Sequence, residues 1–224
     1  MAADTLQERG GAVVDAVLWA KGETGMMTPE KLREIYGDVS PHAAQKVIAQ
    51  FDAHCRNFIA HAPFLVLVTS DGQNLDASPK GDPAGFVEVE SDTTLLIPDR
   101  PGNNRIDGLL NILAHPKVSV LFMIPGVAET LRVNGVAEIS DDADLCARFA
   151  IKGRSPKTVL RVTAEEVFLH CGKAHVRSGL WKPETWPTER PVPSLYAMIK
   201  DHAEMEVPST EQSYAEQRYR ETLY

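Results

Sequence analysis

The sequence has no run approaching the roughly 18 consecutive apolar residues of a membrane-spanning helix, so no membrane partner is expected. Its opening stretch, MAADTLQERGGAVVDAVLWAKGE, puts acids early and breaks up its apolar residues, which is not the form of a secretory signal. Cysteine is scarce. Cys55, Cys146 and Cys171 are odd in number and widely spaced, which argues against a disulfide framework and for a reduced, cytoplasmic compartment. Positive charge is outnumbered, with 23 Lys and Arg against 31 Asp and Glu, giving a formal net charge of −8. Nucleic-acid backbones select clustered Lys and Arg, so no nucleic-acid partner is expected either. Several motifs are missing as well. There is no G-x-G-x-x-G after a strand, no G-x-x-x-x-G-K-[ST], no G-x-S-x-G and no H-E-x-x-H. Rossmann dinucleotide binding, P-loop chemistry, the serine-hydrolase elbow and the zinc-protease helix therefore have no support.

What is present is an ordinary globular composition, 43% hydrophobic and 24% charged over 224 residues. A chain of this length buries about 70% of its unfolded surface and supports a full core. We read residues 1–27 as an N-terminal arm, 28–181 as the main domain with leading helices, and 182–224 as a Pro-rich extension with a short helix near 194–202. Thr28-Pro29 and Ser40-Pro41 each pair an N-cap with a proline suited to the first helical position. After the second, Ala44, Val47, Ile48, Phe51, Cys55, Phe58 and Ile59 recur at helical spacing, which predicts one long amphipathic helix.

The middle of the chain is strand-rich. Strands are predicted at FLVLVT (64–69), GFVEVE (85–90), TTLLI before Pro98, VSVLFMI (118–124), ETLRVNGVAEI (129–139) and TVLRVTAEEVFLH (158–170). The unbroken apolar run at 118–124 predicts a strand buried on both faces. Helices are predicted from about Asn104 to Ala114 and after a Ser140 cap. Six strands with short connections predict a mostly β fold with flanking helices, an antiparallel barrel and not a doubly wound parallel sheet.

Three segments combine Gly, Pro, small polar residues and positive charge at strand ends. They are Ser78-Pro79-Lys80-Gly81-Asp82, the run from Pro98 to Arg105 (PDRPGNNR), and the run from Lys173 to Trp181 (KAHVRSGLW). In the second, Asn103, Asn104 and Arg105 stand where a helix offers free backbone N–H groups, a good site for a phosphate or carboxylate. The plainer reading is a helix cap beside a solvated Arg. In the first, Gly81 would let the backbone approach a ligand, against a simple polar turn. In the third, Lys173 and Arg177 could contact an anion and Trp181 could form a wall, against a basic surface loop. No metal site is assigned: His170, Cys171 and His175 come nearest to a zinc cluster and lack a fourth ligand.

The order SPKGD–GFV, IPDRPGNNR, HPKVSVLF, LRVNGVA and CGKAHVRSGLW resembles the pyridoxamine 5′-phosphate oxidase-like family, in its bacterial branch of FMN-dependent type. The resemblance spans about 63–181. It implies a split β-barrel that binds FMN at a homodimer interface and acts on a small-molecule substrate. By position it puts Ser78, Pro79, Lys80 and Gly81 along the flavin edge and ribityl chain, and Ile97 and Pro98 beside the ring. Asn103, Asn104 and Arg105 would hold the phosphate, and Arg132 and Asn134 would reach the flavin. Lys173, Arg177, Ser178 and Trp181 would face FMN bound mainly by the other subunit. The Trp-Gln-Gly and Arg-Leu-His substrate motif of the vitamin-making oxidases is missing. The resemblance therefore implies an FMN-dependent oxidoreductase on an unidentified small molecule. The alternative is a non-catalytic protein binding or storing flavin, deazaflavin or haem, with His115 and His170 the candidate haem ligands.

Overall fold

The computed structural model describes residues 27–224. The arm read over residues 1–27 lies, save Met27, outside the described residues. The chain divides into two compact units, Met1–Pro41 and His42–Tyr224. In the first, α1 (Pro29–Tyr36) starts as its sequence dictates: Thr28 accepts from the Lys31 N–H at 3.2 Å and Pro29 takes the first turn.

Helix α2 (Pro41–Gln45) starts on the last residue of the first unit and runs into the second, where α3 (Ala53–His61) follows. These replace the single long helix read from the periodicity. Ile48 leaves the helical path to form an antiparallel bridge with Val167. Asp52 then restarts the helix by accepting from the Cys55 N–H at 2.8 Å. The apolar spacing survives only in part: Phe51 in the link and Cys55 and Ile59 on α3 are buried, while α2 buries none of its residues.

Seven strands follow, interrupted by two helices: β1 (Phe64–Ser70), β2 (Leu75–Gly81), β3 (Glu88–Val89), β4 (Thr94–Pro98), α4 (Asp107–Ala114), β5 (Lys117–Met123), β6 (Thr130–Ser140), α5 (Ala143–Arg148) and β7 (Val159–His170). They make one antiparallel sheet in the order β2-β1-β5-β6-β7-β4-β3. The sheet is not closed, and β2 and β3 are its edges. This is the mostly β, helix-flanked split-barrel class expected from the sequence. The additional strand is β2, whose SPKG segment reads as a turn because Pro and Gly are poor strand formers; an edge strand tolerates both. GFVEVE supplies only the two residues of β3.

Leu65, Leu67, Val120, Phe122, Leu131, Val133, Val162 and Val167 form one core with Ile59, Leu95 and Ile97. Each such side chain contributes about 1.5–3 kcal/mol by leaving water. β5 is not buried on both faces. Val118, Val120 and Phe122 point into the core, while Ser119, Leu121 and Met123 are half-buried on the other side, level with Val66 and Val68 of β1. Among the described residues, no element of the same chain fully covers that second face. At the register shift between Asn134 and Gly135 the extra residue is Glu165 of β7, a β-bulge that lets β7 bend.

Beyond β7 come α6 (Lys173–Ser178), α7 (Leu195–Ala203) and α8 (Gln212–Thr222). The helix expected near 194–202 is α7, capped by Ser194, which accepts from the Ala197 N–H at 3.1 Å; α8 is additional. Among the described residues, no helix is long and apolar enough to cross a membrane.

Candidate functional site

The first two segments meet. Lys80 and Asp99 form an ion pair at 2.8 Å, largely shielded from water. Arg100 Nε donates to Asp82 Oδ2 at 2.5 Å, and Arg100 Nη1 donates to the Phe149 carbonyl at 2.7 Å. The Asp82 carboxylate is only 1% exposed. These two pairs clamp the end of β2 to the loop after β4, which lies outside the reach of their shared sheet. Helix α4 closes over the same strand. Its Gly108 packs so tightly that an added Cβ would lie 3.1 Å from Asp76 Oδ2 and 3.4 Å from Thr69 Oγ1. Asn111 Nδ2 reaches Thr69 Oγ1 at 3.1 Å, satisfying two buried polar groups at once. Ser78 faces this side and donates to Asp76 Oδ2 at 2.6 Å.

The phosphate turn differs from its sequence reading. Helix α4 begins at Asp107, and its N-cap position is Ile106 in a left-handed conformation with no side-chain cap. Asn103, Asn104 and Arg105 therefore precede the helix. Asn103 Oδ1 accepts from the Arg105 N–H at 3.0 Å, and Asn104 has φ 59°. Two left-handed residues within three positions curl the loop before the helix can start. The Arg105 side chain is 74% exposed and touches Asp107 at 2.7 Å. Gly81 has a reason of its own: a Cβ there would meet the Pro63 carbonyl at 3.2 Å, so the close approach is to this chain's backbone. Ile97 is fully buried in the core, and Pro98 is buried beside it, so both support the loop from behind.

The remaining candidates lie elsewhere on the sheet, with β1 and β5 between β2 and β6. Arg132 is opposite Leu121 on β5 and Phe168 on β7, on the incompletely covered face. Its guanidinium lies 5.7 Å from the Phe168 ring centroid, and its buried Nε has no hydrogen-bond partner. Asn134 accepts from Ser119 Oγ at 2.8 Å and donates to Glu166 at 2.9 Å. The third segment is a short helix, not a loop. His175 Nδ1 bonds the Ala128 carbonyl, and its ring lies tilted against Trp181 at 5.7 Å between centroids; the buried indole Nε1 of Trp181 has no partner among the described residues. Ser178 turns back to the His175 carbonyl at 3.1 Å. Lys173 and Arg177 are exposed. One chain therefore assembles two groups of candidates, one at β2, β4 and the α4 loop, the other at β6 and α6.

Sequence reasoning passed over the residues that fix these groups in place, namely Asp99, the Asp82–Arg100 pair and Phe168. Adjacent opposite charges in S-P-K-G-D and P-D-R were a usable signal for the clamp. His170 Nε2 is buried without a partner, and burial first, then the charges of Arg132 and Lys46, hold the ring below its ordinary pKa. Among the described residues, no three His, Cys, Asp or Glu side chains come together to hold a metal, so His170, Cys171 and His175 do not form a zinc site.

A flavin mononucleotide needs cations for its phosphate and donors for its ring. The residues present fit that need in their chemistry. Arg105 is solvent-facing on a curled loop, while Arg132, Lys173 and Arg177 have no carboxylate partner among the described residues. Arg56, Arg100, Arg148 and Arg161 each hold one, and Arg105 holds Asp107 with its side chain still 74% exposed. An antiparallel split barrel with glycine- and proline-rich strand ends defines the structural class. The chain belongs to the pyridoxamine 5′-phosphate oxidase family, whose model matches residues 51–171, more than half of its length. No curated protein sequence matches it. Solved structures similar to it include HupZ from Group A Streptococcus, with 19% identity, TM-score 0.43, and coverage of 53% of this chain and 93% of that one. A proposed pyridoxamine 5′-phosphate oxidase from Lactobacillus delbrueckii is 20% identical with TM-score 0.42, covering 54% of this chain and 95% of that one. General Stress Protein 26 from Bacillus anthracis is 16% identical with TM-score 0.40, covering 50% and 88%.

Proposed function

We propose that the protein is a homodimeric FMN-dependent oxidoreductase acting on a small molecule, with each flavin site built from two chains. The observation that supports this best is the separation of the candidates into two groups, on a sheet whose second face keeps Val66, Val68, Leu121 and Met123 half-exposed. A second copy related by two-fold symmetry covers such a face and brings one chain's first group to the other's second. In this reading Asn103, Asn104 and Arg105 bind the phosphate. Ser78, Pro79, Lys80 and Gly81 line the flavin's edge, backed by Ile97 and Pro98. Arg132, Asn134, Lys173, Arg177, Ser178 and Trp181 complete the site from across the interface.

FMN, when bound, supplies the hydride or electron transfer; the protein supplies orientation and charge. Arg132 and Lys173 set the positive field near the ring, while Lys80, paired with Asp99 at 2.8 Å, adds little net charge to it. The described residues offer no acid–base pair dedicated to proton transfer. The test is a titration of apoprotein with FMN, followed by anaerobic NADH or NADPH and then air. Flavin binding, bleaching and recovery support an enzyme. Binding without bleaching by any donor supports a flavin store, and a protein that takes up no FMN contradicts the proposal.

A further inference from the structure

Tyr224 lies 142 positions from Asp82 in sequence and touches it in space. The phenol donates to Asp82 Oδ1 at 2.5 Å, on the carboxylate oxygen that Arg100 leaves free. The Arg100 guanidinium lies 6.0 Å from the Tyr224 ring centroid, and Lys152 Nζ lies 5.7 Å from it. Arg154 holds the Tyr224 carbonyl oxygen. A single residue following α8 thus makes four polar or cationic contacts, all with the barrel. Ordering a side chain costs free energy, so four converging contacts mark a seated residue and not a passing one.

The place it occupies connects the two cofactor segments. Asp82 directly follows Ser78-Pro79-Lys80-Gly81, and Arg100 directly precedes Pro-Gly-Asn103-Asn104-Arg105. Their ion pair is the inner bolt between those segments, and the 1% exposed carboxylate has two donors outside its own backbone, Arg100 and Tyr224. A buried carboxylate short of a donor bears a large desolvation penalty and draws its neighbours out of place to relieve it. The bond to Asp82, followed by burial, also raises the phenol above its ordinary pKa, so it remains a donor at any working pH.

We infer that Tyr224 is a positioning residue for the cofactor site: the tail reaches back and locks the Asp82–Arg100 bolt, fixing the flavin-edge strand relative to the phosphate loop. The inference rests on the flavin reading above, because the segments it locks are the ones that reading assigns to FMN. Tyr224 itself touches no proposed cofactor contact. It acts through Asp82 and Arg100, and its influence is on affinity and on the rigidity of two defined segments.

The test uses full-length Tyr224→Phe, which removes the hydroxyl and keeps the ring, and Tyr224→Leu, which removes both. FMN affinity is measured by flavin-fluorescence titration. Hydrogen exchange is followed at residues 78–82 and 98–105, with circular dichroism as a check on folding. Tyr224→Phe is expected to weaken FMN about tenfold, the low end for a hydrogen bond to a charged group, and Tyr224→Leu further. Exchange at both segments is expected to quicken while the circular dichroism is unchanged. Wild-type affinity in both variants overturns the inference. So does weakened affinity with unaltered exchange at the two segments, because the effect then does not pass through the bolt. If the wild-type protein binds no FMN, the flavin reading fails separately. Exchange then decides the lock alone: quickened in Tyr224→Phe it stands, unaltered it falls.

Discussion

Replacing Arg100 with Met keeps the length of the stem and removes the charge that neutralises Asp82. The Asp82 carboxylate is 1% exposed and the Arg100 side chain 16%, so the pair is largely shielded from water. Three bonds are touched: Nε to Asp82 at 2.5 Å, Nη1 to the Phe149 carbonyl at 2.7 Å, and the cationic face against Tyr224. Removing one partner of a buried pair costs about 3–5 kcal/mol, mostly from the charge left behind. For a domain of this size each kcal/mol lowers the melting temperature by about 2–4 °C, so the variant should melt about 6–20 °C lower. Asp82→Asn in the same chain removes the stranded charge and should recover most of that loss. Thermal melts followed by circular dichroism, with urea titrations for the free energy, read both variants. A loss below about 1 kcal/mol for Arg100→Met, or a double variant no better than the single, would refute the reasoning from buried charge.

Gly135→Ala should destabilise by about 1–3 kcal/mol or more, because a Cβ would sit inside the Thr163 carbonyl, 2.9 Å from its carbon and 3.1 Å from Ala164 Cα, all backbone that cannot swing away. A urea midpoint equal to wild type would count against the bulge. Native protein should show one fast thiol, Cys171, because Cys55 is buried and pushed up to about 12 and the Cys146 thiol is likewise raised by burial. Cys171→Ser should abolish the fast phase, and a second fast thiol would contradict this. His170 is held below its ordinary 6.5 by burial first and by Arg132 and Lys46 next, so the folded state binds fewer protons than the unfolded one. Its contribution to stability is whole above that value and lost as pH falls from it through the folded pKa. Urea midpoints at about pH 7.5 and about pH 5.5 should therefore fall less in His170→Gln than in wild type, and equal falls would refute the sign.

The fold was legible where periodicity and burial agree. ETLRVNGVAEI alternates in sequence and alternates in the sheet. It was illegible where a long-range contact overrides a local pattern. Ile48 fits a helix by spacing and is pulled into a bridge with Val167, which no local rule anticipates. SPKG reads as a turn by composition and lies at a sheet edge, where the missing proline donor costs nothing. Helix α4 starts late because Asn104 and Ile106 are left-handed, and Ile is a residue that sequence rules steer away from that conformation. At the candidate site the segments were legible as residue types, but not what holds them. Lys80 and Arg100 read as free cations and prove to be paired with Asp99 and Asp82. Tyr224 gave no signal, since its partner lies at the other end of the domain in sequence.

The composite flavin site is tested most directly by mixing two defective proteins. Arg105→Ala damages the phosphate loop and Arg177→Ala damages the group placed across the interface, so each alone should bind little FMN. When the two are unfolded together and refolded, half of the dimers are mixed. Each mixed dimer has one site with both defects and one with neither. The account predicts recovery of about a quarter of the wild-type FMN stoichiometry, measured by equilibrium dialysis. Recovery of nothing, from partners that each fold and dimerise, would place the whole site within one chain and contradict it.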